Sequence, residues 1–233
     1  NYKVMKLTSL KIFSIAILML FYFNGVAYLD SMPTIDTVKI QRKSRWIRKK
    51  FTKYPTTLAA RLTREYQDDA SKVIAITYWI TKNIKYDYSA YLSGTMFRHN
   101  SKEVLRKRKA LCGEYANLFN EMCESVGISS ERINGYVHDF DFFPSDTLYR
   151  AEHAWSTCQV DGKWQLMDLT WGAGHIEPRK QYIQKLMWVL FEKPYVVEWH
   201  YVHKYNPNWI YVSSQEMISS HYPILDFFQF LKE

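Results

Sequence analysis

The stretch EHAWSTCQVDGKWQLMDLTW, residues 152–171, decides how the sheet is built. Two runs of alternating character flank Asp161-Gly162, a dipeptide favoured in two-residue hairpin turns because both central positions need positive φ. With those two residues as the turn, Val160 faces Lys163, Trp155 stands opposite Asp168, and His153 stands opposite Thr170. Side chains alternate faces along a strand, so His153, Trp155, Leu166, Asp168 and Thr170 share one face. Diagonal neighbours in such a pair lie ~7–8 Å apart at the backbone, a gap that an imidazole and a carboxylate close between them. The turn therefore predicts a His153–Asp168 hydrogen bond. A slip of one residue would put the two on opposite faces.

A histidine oriented by a carboxylate is half of a nucleophilic site, and the other half is a group for it to deprotonate. KALCGEYANLF, residues 109–119, offers Cys112 at a helix start. Tyr115, Leu118, Phe119, Met122 and Val126 recur at helical spacing, and Gly127 closes the helix. The N–H groups of a helix N-terminus favour a thiolate, and a neighbouring imidazolium favours it further. Lys102, Arg106, Lys107, Arg108 and Lys109 add positive potential just upstream, and the Cys112 backbone N–H is itself an oxyanion donor. Each residue also has an ordinary reading. A cysteine on an apolar helical stripe is more often core than nucleophile, and a His and an Asp facing across a hairpin can be a mere polar pair. Taken together, the three favour the chemical reading.

Working outward, Leu58, Leu62 and Tyr66 give a helical spacing over 57–67. DDASKVIAITYWITKNIKYDY begins with Asp caps and carries Val73, Ile76, Ile80 and Ile84 as one stripe. NSKEVLRKRKA reads as a short basic helix capped by Asn100 or Ser101. ERINGYVHDF reads as a strand and FDFFPSDTLYRA as a long loop. Past residue 174 the pattern weakens into short strands and a helix that cover the core. Cys123 lies about 16 Å along the helix from Cys112, too far to bridge. Cys158 points away from His153, and both of these cysteines read as buried fillers. His138, His175, His200 and His203 read as structural or exposed. There is no CxxC pair and no HExxH motif, so neither a metal nor any other cofactor is expected.

With 47% apolar and 17% aromatic residues in a chain of 233, this is a folded protein with a substantial core. Lys3, Lys6 and Lys11, the apolar run Ile12–Phe23 and NGVA at 24–27 make residues 1–27 an export signal, cleaved after Ala27 or kept as an anchor. The product is thus expected to be secreted, periplasmic or envelope-associated. Residues 28–55 read as a basic extension and 56–233 as the domain. Of the 31 Lys and Arg, three lie in the signal and eight in 39–53, leaving 20 against 23 acidic residues, so the net charge of +8 is local. The basic stretch is either a contact for anionic envelope or a solvated face, of which Trp46 and Phe51 suggest that part packs. Nucleic acid is not an expected partner, since no groove-reading motif is present.

LCGEYANLF, EHAWSTCQVDGKWQLMDLTWG and the order Cys, His, Asp resemble the transglutaminase-like superfamily of cysteine enzymes. The Thr-Trp-Gly-Ala-Gly stretch from Thr170 to Gly174 brings the likeness closer to the kyphoscoliosis-peptidase branch. WITKNIKYDY (79–88) and, more weakly, HKYNPNW (203–209) extend it, so that it spans Val73 to Trp209. The resemblance implies an α+β, papain-like transglutaminase core with the cysteine-bearing helix packed on an antiparallel sheet. It assigns Cys112 as nucleophile, His153 as general base and acid, and Asp168 as the residue that orients His153. Ala110 stands where the family often has glycine, and no side-chain oxyanion donor is evident. Trp155 or Trp171 either walls the acyl site or belongs to the core, and no calcium loop is recognisable.

The expected function is an exported cysteine acyl-transfer enzyme acting on peptide or side-chain amide bonds through a thioester, by hydrolysis rather than transamidation. Its expected partners are protein or peptide substrates. The competing readings are an inactive module of the same fold that binds peptides or envelope polymer, and a membrane-associated structural protein.

Overall fold

The computed structural model describes residues 36–45, 47, 52–94, 99–137, 153–179, 189 and 197–224. The expected export signal, Trp46, Phe51, His138 and the loop 140–151 lie outside them.

Part of the basic stretch forms helix α1 (Thr37–Arg45), which buries Ile40. Helix α2 (Pro55–Thr63) starts on a proline at its first position and buries Leu58 and Leu62. Helix α3 (Asp69–Asn83) is capped by Asp68, whose carboxylate accepts from the Ser71 N–H at 2.7 Å. Its expected stripe of Val73, Ile76 and Ile80 is fully buried, together with Ile84 beyond its end. Strand β1 (Lys85–Tyr86) and a short helix α4 (Tyr88–Leu92) follow. Helix α5 (Ser101–Lys107) is capped reciprocally by Asn100 and Glu103. Arg108, in the left-handed region at φ +59°, turns the chain into β2 (Lys109–Ala110), which pairs in parallel with β1. Helix α6 (Cys112–Glu124) then begins, and Gly127 at φ +82° follows its end.

The main sheet is antiparallel, with strands β3 (Ser130–Val137), β4 (His153–Val160), β5 (Lys163–Met167), β8 (Ile210–Val212) and β9 (His221–Pro223) in the order β8-β5-β4-β3-β9. Asp161 and Gly162 have φ of +49° and +76°, the paired left-handed conformation that a two-residue hairpin needs. Val160 faces Lys163 and the register runs unbroken to Ser156 opposite Met167. There it stops. The expected pairings of Trp155 with Asp168 and of His153 with Thr170 do not form, because Asp168 leaves the ladder to cap helix α7 (Leu169–Ala173). Its Oδ1 accepts the N–H groups of Thr170 and Trp171 at 2.7 and 3.1 Å. Orphan amides at a helix start thus capture the carboxylate that the ladder would have carried onward.

Beyond α7, strands β6 (Gly174–Pro178) and β7 (Trp199–His203) form a separate antiparallel ribbon. A 3-10 turn at Pro207–Trp209, strand β8, helix α8 (Ser214–Ile218) and β9 complete the described chain. One face of the main sheet presents Ile133, Trp155, Leu166 and Val212, covered by Met217 of α8 and by Trp209. Helix α6 packs on β3 and β4 from the other side, where the Arg132 guanidinium lies 2.9 Å from the place a Cβ on Gly113 would take. The molecule is therefore α+β, with the cysteine-bearing helix against an antiparallel sheet.

Candidate active site

Cys112 is the first residue of α6 and is half-buried. Three hydrogen bonds fix the approach to it. The Asp87 N–H donates to the Ala110 carbonyl at 2.9 Å, tying β2 to β1. Glu114, 2% exposed, reaches back along the first turn. Its Oε2 accepts the Leu111 N–H at 2.7 Å, and its Oε1 accepts the His99 N–H at 2.8 Å. Leu111 offers no capping side chain, so the glutamate three residues on does the capping instead.

His153 opens β4, paired across to Gly135 of β3. Its Nε2 meets Asp168 Oδ2 at 2.7 Å, with the two side chains 7% and 0% exposed. The ring also packs near Trp155 and Trp171, with centroids at 6.2 and 5.8 Å. With Nε2 committed to the carboxylate, Nδ1 is the ring nitrogen left for the Cys112 thiol, and the two groups act on each other's ionisation. The structure thus brings Cys112, His153 and Asp168 together in one line of contacts.

Their electrostatics reinforce one another. Burial works against a thiolate at Cys112, but the hydrogen bond and charge of His153 and the Ala154 N–H outweigh it, and the thiol lies below its usual range. Burial also works against the His153 imidazolium, and the Asp168 charge and hydrogen bond overcome that penalty and raise its pKa. Asp168 is disfavoured by burial too, yet His153, its main partner, together with His221, holds it well below the usual carboxylate range. Both shifts across the Cys112–His153 contact favour the thiolate–imidazolium pair at neutral pH. The other cysteines behave in the opposite sense. Burial raises Cys123 well above the ordinary thiol value and pushes Cys158 up to about 12.

Two expectations about the surroundings change. Four of the basic residues upstream are engaged away from the thiol: Lys102 lies over the Tyr54 ring at 4.8 Å, Arg108 lies over the Trp79 ring at 4.7 Å, Lys107 meets His99 and Lys109 meets Asp87. Trp155, 2% exposed, is a core residue, whereas Trp171 is half-buried and packs on Trp209 with centroids 4.6 Å apart. Three other described histidines are engaged away from the thiol. His203 binds the Thr81 carbonyl at 2.7 Å, and His175 and His200 face Glu177 on the β6–β7 ribbon.

One histidine at the site carries no signal in the sequence. His221, on β9 and 1% exposed, places Nε2 3.2 Å from Asp168 Oδ2, the oxygen that also binds His153. Ser220 Oγ lies 2.8 Å from its Nδ1. His221 sits in no motif, and only the pairing of β9 with β3 brings it here. Glu114, by contrast, is legible as an acidic residue at the third position of a helix.

His153, Asp168 and His221 form the one cluster among the described residues whose potential ligand atoms lie close enough to hold a metal, within 4.8 Å of one another. Their contacts are hydrogen bonds to a single oxygen. An ion ~2.0–2.2 Å from each atom would have to replace the protons of both contacts. The cluster fits shared protons better than a metal.

Residues 56–169 match the transglutaminase-like superfamily. The chain carries that superfamily's core. Cys112, His153 and Asp168 all fall within the matched range, and His221 lies beyond it. The kyphoscoliosis peptidases of Mus musculus and Homo sapiens are each 31% identical to the chain over 121 residues, 52% of this chain and 18% of theirs. The chain thus spans under a fifth of the length of these relatives. The solved structure of a TGase shares 16% identity at a TM-score of 0.37, covering 71% of this chain and 42% of that one.

Proposed function

We propose that the chain is a cysteine acyl-transfer enzyme that acts on peptide or side-chain amide bonds. The observation that carries this reading is the buried His153–Asp168 hydrogen bond beside the half-buried helix-start thiol of Cys112, whose ionisation His153 favours. The thiolate attacks the carbonyl carbon, and the carbonyl electron pair moves onto oxygen. As that tetrahedral intermediate collapses, the C–N bond breaks and His153 gives its proton to the departing amine. The Cys112 backbone N–H, at the start of α6, is the donor best suited to the oxyanion. In the second half, His153 takes a proton from water as it attacks the thioester, releasing the acid and restoring the thiol. An amine in place of water gives transamidation.

Hydrolysis is the preferred outcome, with proteins or peptides as substrates, on the likeness to kyphoscoliosis peptidases. The lysines and apolar run of residues 1–27 favour an exported protein as the setting for this activity. The test is a panel of fluorogenic peptides and casein, run beside incorporation of a fluorescent primary amine into casein. Cleavage that disappears in Cys112→Ala, with no amine incorporation, is the expected result. Activity of either kind that survives Cys112→Ala would overturn the assignment.

A further inference from the structure

We infer that His221 is a positioning residue for Asp168, sharing the carboxylate oxygen that holds His153 and so setting how tightly the imidazolium keeps its proton. This rests on the proposed roles of Cys112, His153 and Asp168.

Asp168 is a fully occupied carboxylate. Oδ1 takes the amides of Thr170 and Trp171, and Oδ2 takes the two imidazoles at 2.7 and 3.2 Å. Four donors fill the four lone-pair positions that a carboxylate offers. Three of them have clear tasks: two amides start α7, and His153 faces the thiol. His221 is the fourth, and its surroundings are built to present it. The Trp155, Trp171 and Trp209 rings stand 4.9, 4.6 and 5.5 Å from its ring centroid. An ionised Asp168 only accepts, so the ring proton of His221 sits on Nε2, and Nδ1 is left to accept from the Ser220 hydroxyl.

The titratable groups that act on His221 are Asp168, from the β5–α7 junction, and His153, from β4. Its other polar neighbours are Ser220 and the Met217 carbonyl. Burial lowers its pKa, so it serves as a neutral N–H donor. A neutral donor draws part of the charge of Oδ2 without adding a second cation beside His153. Without it, that charge falls on His153 alone. The imidazolium is then held more tightly, and the less-quenched carboxylate opposes the Cys112 thiolate more strongly.

The experiment is the rate of iodoacetamide alkylation at Cys112 against pH, with peptide mapping, in the full chain and in His221→Phe, His221→Gln and Ser220→Ala. Phenylalanine keeps a ring among the three tryptophans but has no donor. Glutamine restores an uncharged N–H near the Nε2 position. Ser220→Ala removes only the hydroxyl at Nδ1, and the carboxylate keeps the ring proton on Nε2, so it separates loss of the donor from loss of packing around the ring. The expected result is that both limbs of the profile move to higher pH in His221→Phe and stay in place in Ser220→Ala. The shift should be on the order of one unit, about tenfold in rate on the acid limb, with His221→Gln close to wild type. A profile unchanged in His221→Phe, or displaced by a full unit in His221→Gln or Ser220→Ala, would overturn the role of the donor. A wild-type profile with no thiolate below the ordinary thiol range would instead sink the reading of the site itself.

Discussion

Replacing Asp168 by Asn changes one atom in the centre of the site, and the contacts around that atom fix the outcome. The amide oxygen can still accept from Thr170 and Trp171, which now bind Oδ1. The amide nitrogen must then occupy the place of Oδ2, a donor confronting two imidazole donors at 2.7 and 3.2 Å. Two charge-assisted bonds are lost, and a buried imidazolium loses its counter-charge. Removing one partner of such a buried pair costs about 3–5 kcal/mol. His153 escapes part of that cost by giving up its proton, because burial, which lowers its pKa, is no longer opposed by the carboxylate. Its Nε2 then accepts from the new amide and its remaining proton moves to Nδ1, the wrong tautomer for a base facing Cys112.

The loss is measurable at Cys112 without knowing a substrate. A thiol without its imidazolium titrates near ~8.5 or above, so at about pH 6 the thiolate fraction falls to roughly 0.3%. Iodoacetamide should therefore alkylate Cys112 about 300-fold more slowly in Asp168→Asn than in a wild type whose thiolate is fully formed at that pH. Peptide turnover should fall on the order of 10⁴-fold through the tautomer change. Alkylation at about pH 6 within roughly threefold of wild type, in a variant that urea unfolding shows to be native, would refute the coupling of Asp168 to the thiol.

The same pair predicts a pH-dependent stability gap between wild type and Asp168→Asn. Folding raises the His153 pKa from 6.5 to about 10, so its contribution is full below pH 6.5 and is lost as pH rises toward 10. Folding lowers Asp168 from 3.8, so its contribution is full above that value and is lost as pH falls below it. Urea midpoints should therefore differ most between about pH 4 and 6.5 and converge at higher pH. In the native protein at about pH 7, Cys123 and Cys158 should be alkylated at least ~100-fold more slowly than Cys112, with the three rates converging in urea. Gly135→Ala should cost about 1–3 kcal/mol in urea unfolding. A Cβ there would lie 2.3 Å from the Tyr222 carbonyl and 2.4 Å from the Trp155 ring, forcing β9 and His221 outward.

The legible part of the fold obeys local rules. Asp161-Gly162 sets the turn, and the α3 and α6 stripes set which faces are buried, because periodicity and turn chemistry need only neighbouring residues. The helix boundaries are less legible. The stretch 57–67 yields a helix that ends at Thr63, and the pattern running to Tyr88 is split into α3, β1 and α4. The weak pattern past residue 174 hides β9, whose three residues become a strand only by pairing with β3. His221 is accordingly the site residue that the sequence conceals: its place depends on a contact between segments far apart in the chain, and no short-range spacing reports such a contact.

The His153–Asp168 contact is the instructive case, since the hydrogen bond forms although the strand pairing invoked for it does not. Alternation assigns faces by parity, and parity is settled at the turn: once Val160 opposes Lys163, every later residue of β5 has its side. Asp168 is the first residue past the last ladder pair, so it keeps the parity of a strand residue while its backbone is free to bend into α7. Had the ladder continued, Asp168 would have been a diagonal neighbour of His153 with its second oxygen uncommitted. By ending the strand there, the chain gives Oδ1 two helix-start amides and turns Oδ2 toward both imidazoles. A buried anion needs that many donors to remain ionised. The break in the ladder that defeats the predicted pairing is thus what lets Asp168 stay charged, and a charged Asp168 is what sustains the imidazolium beside Cys112.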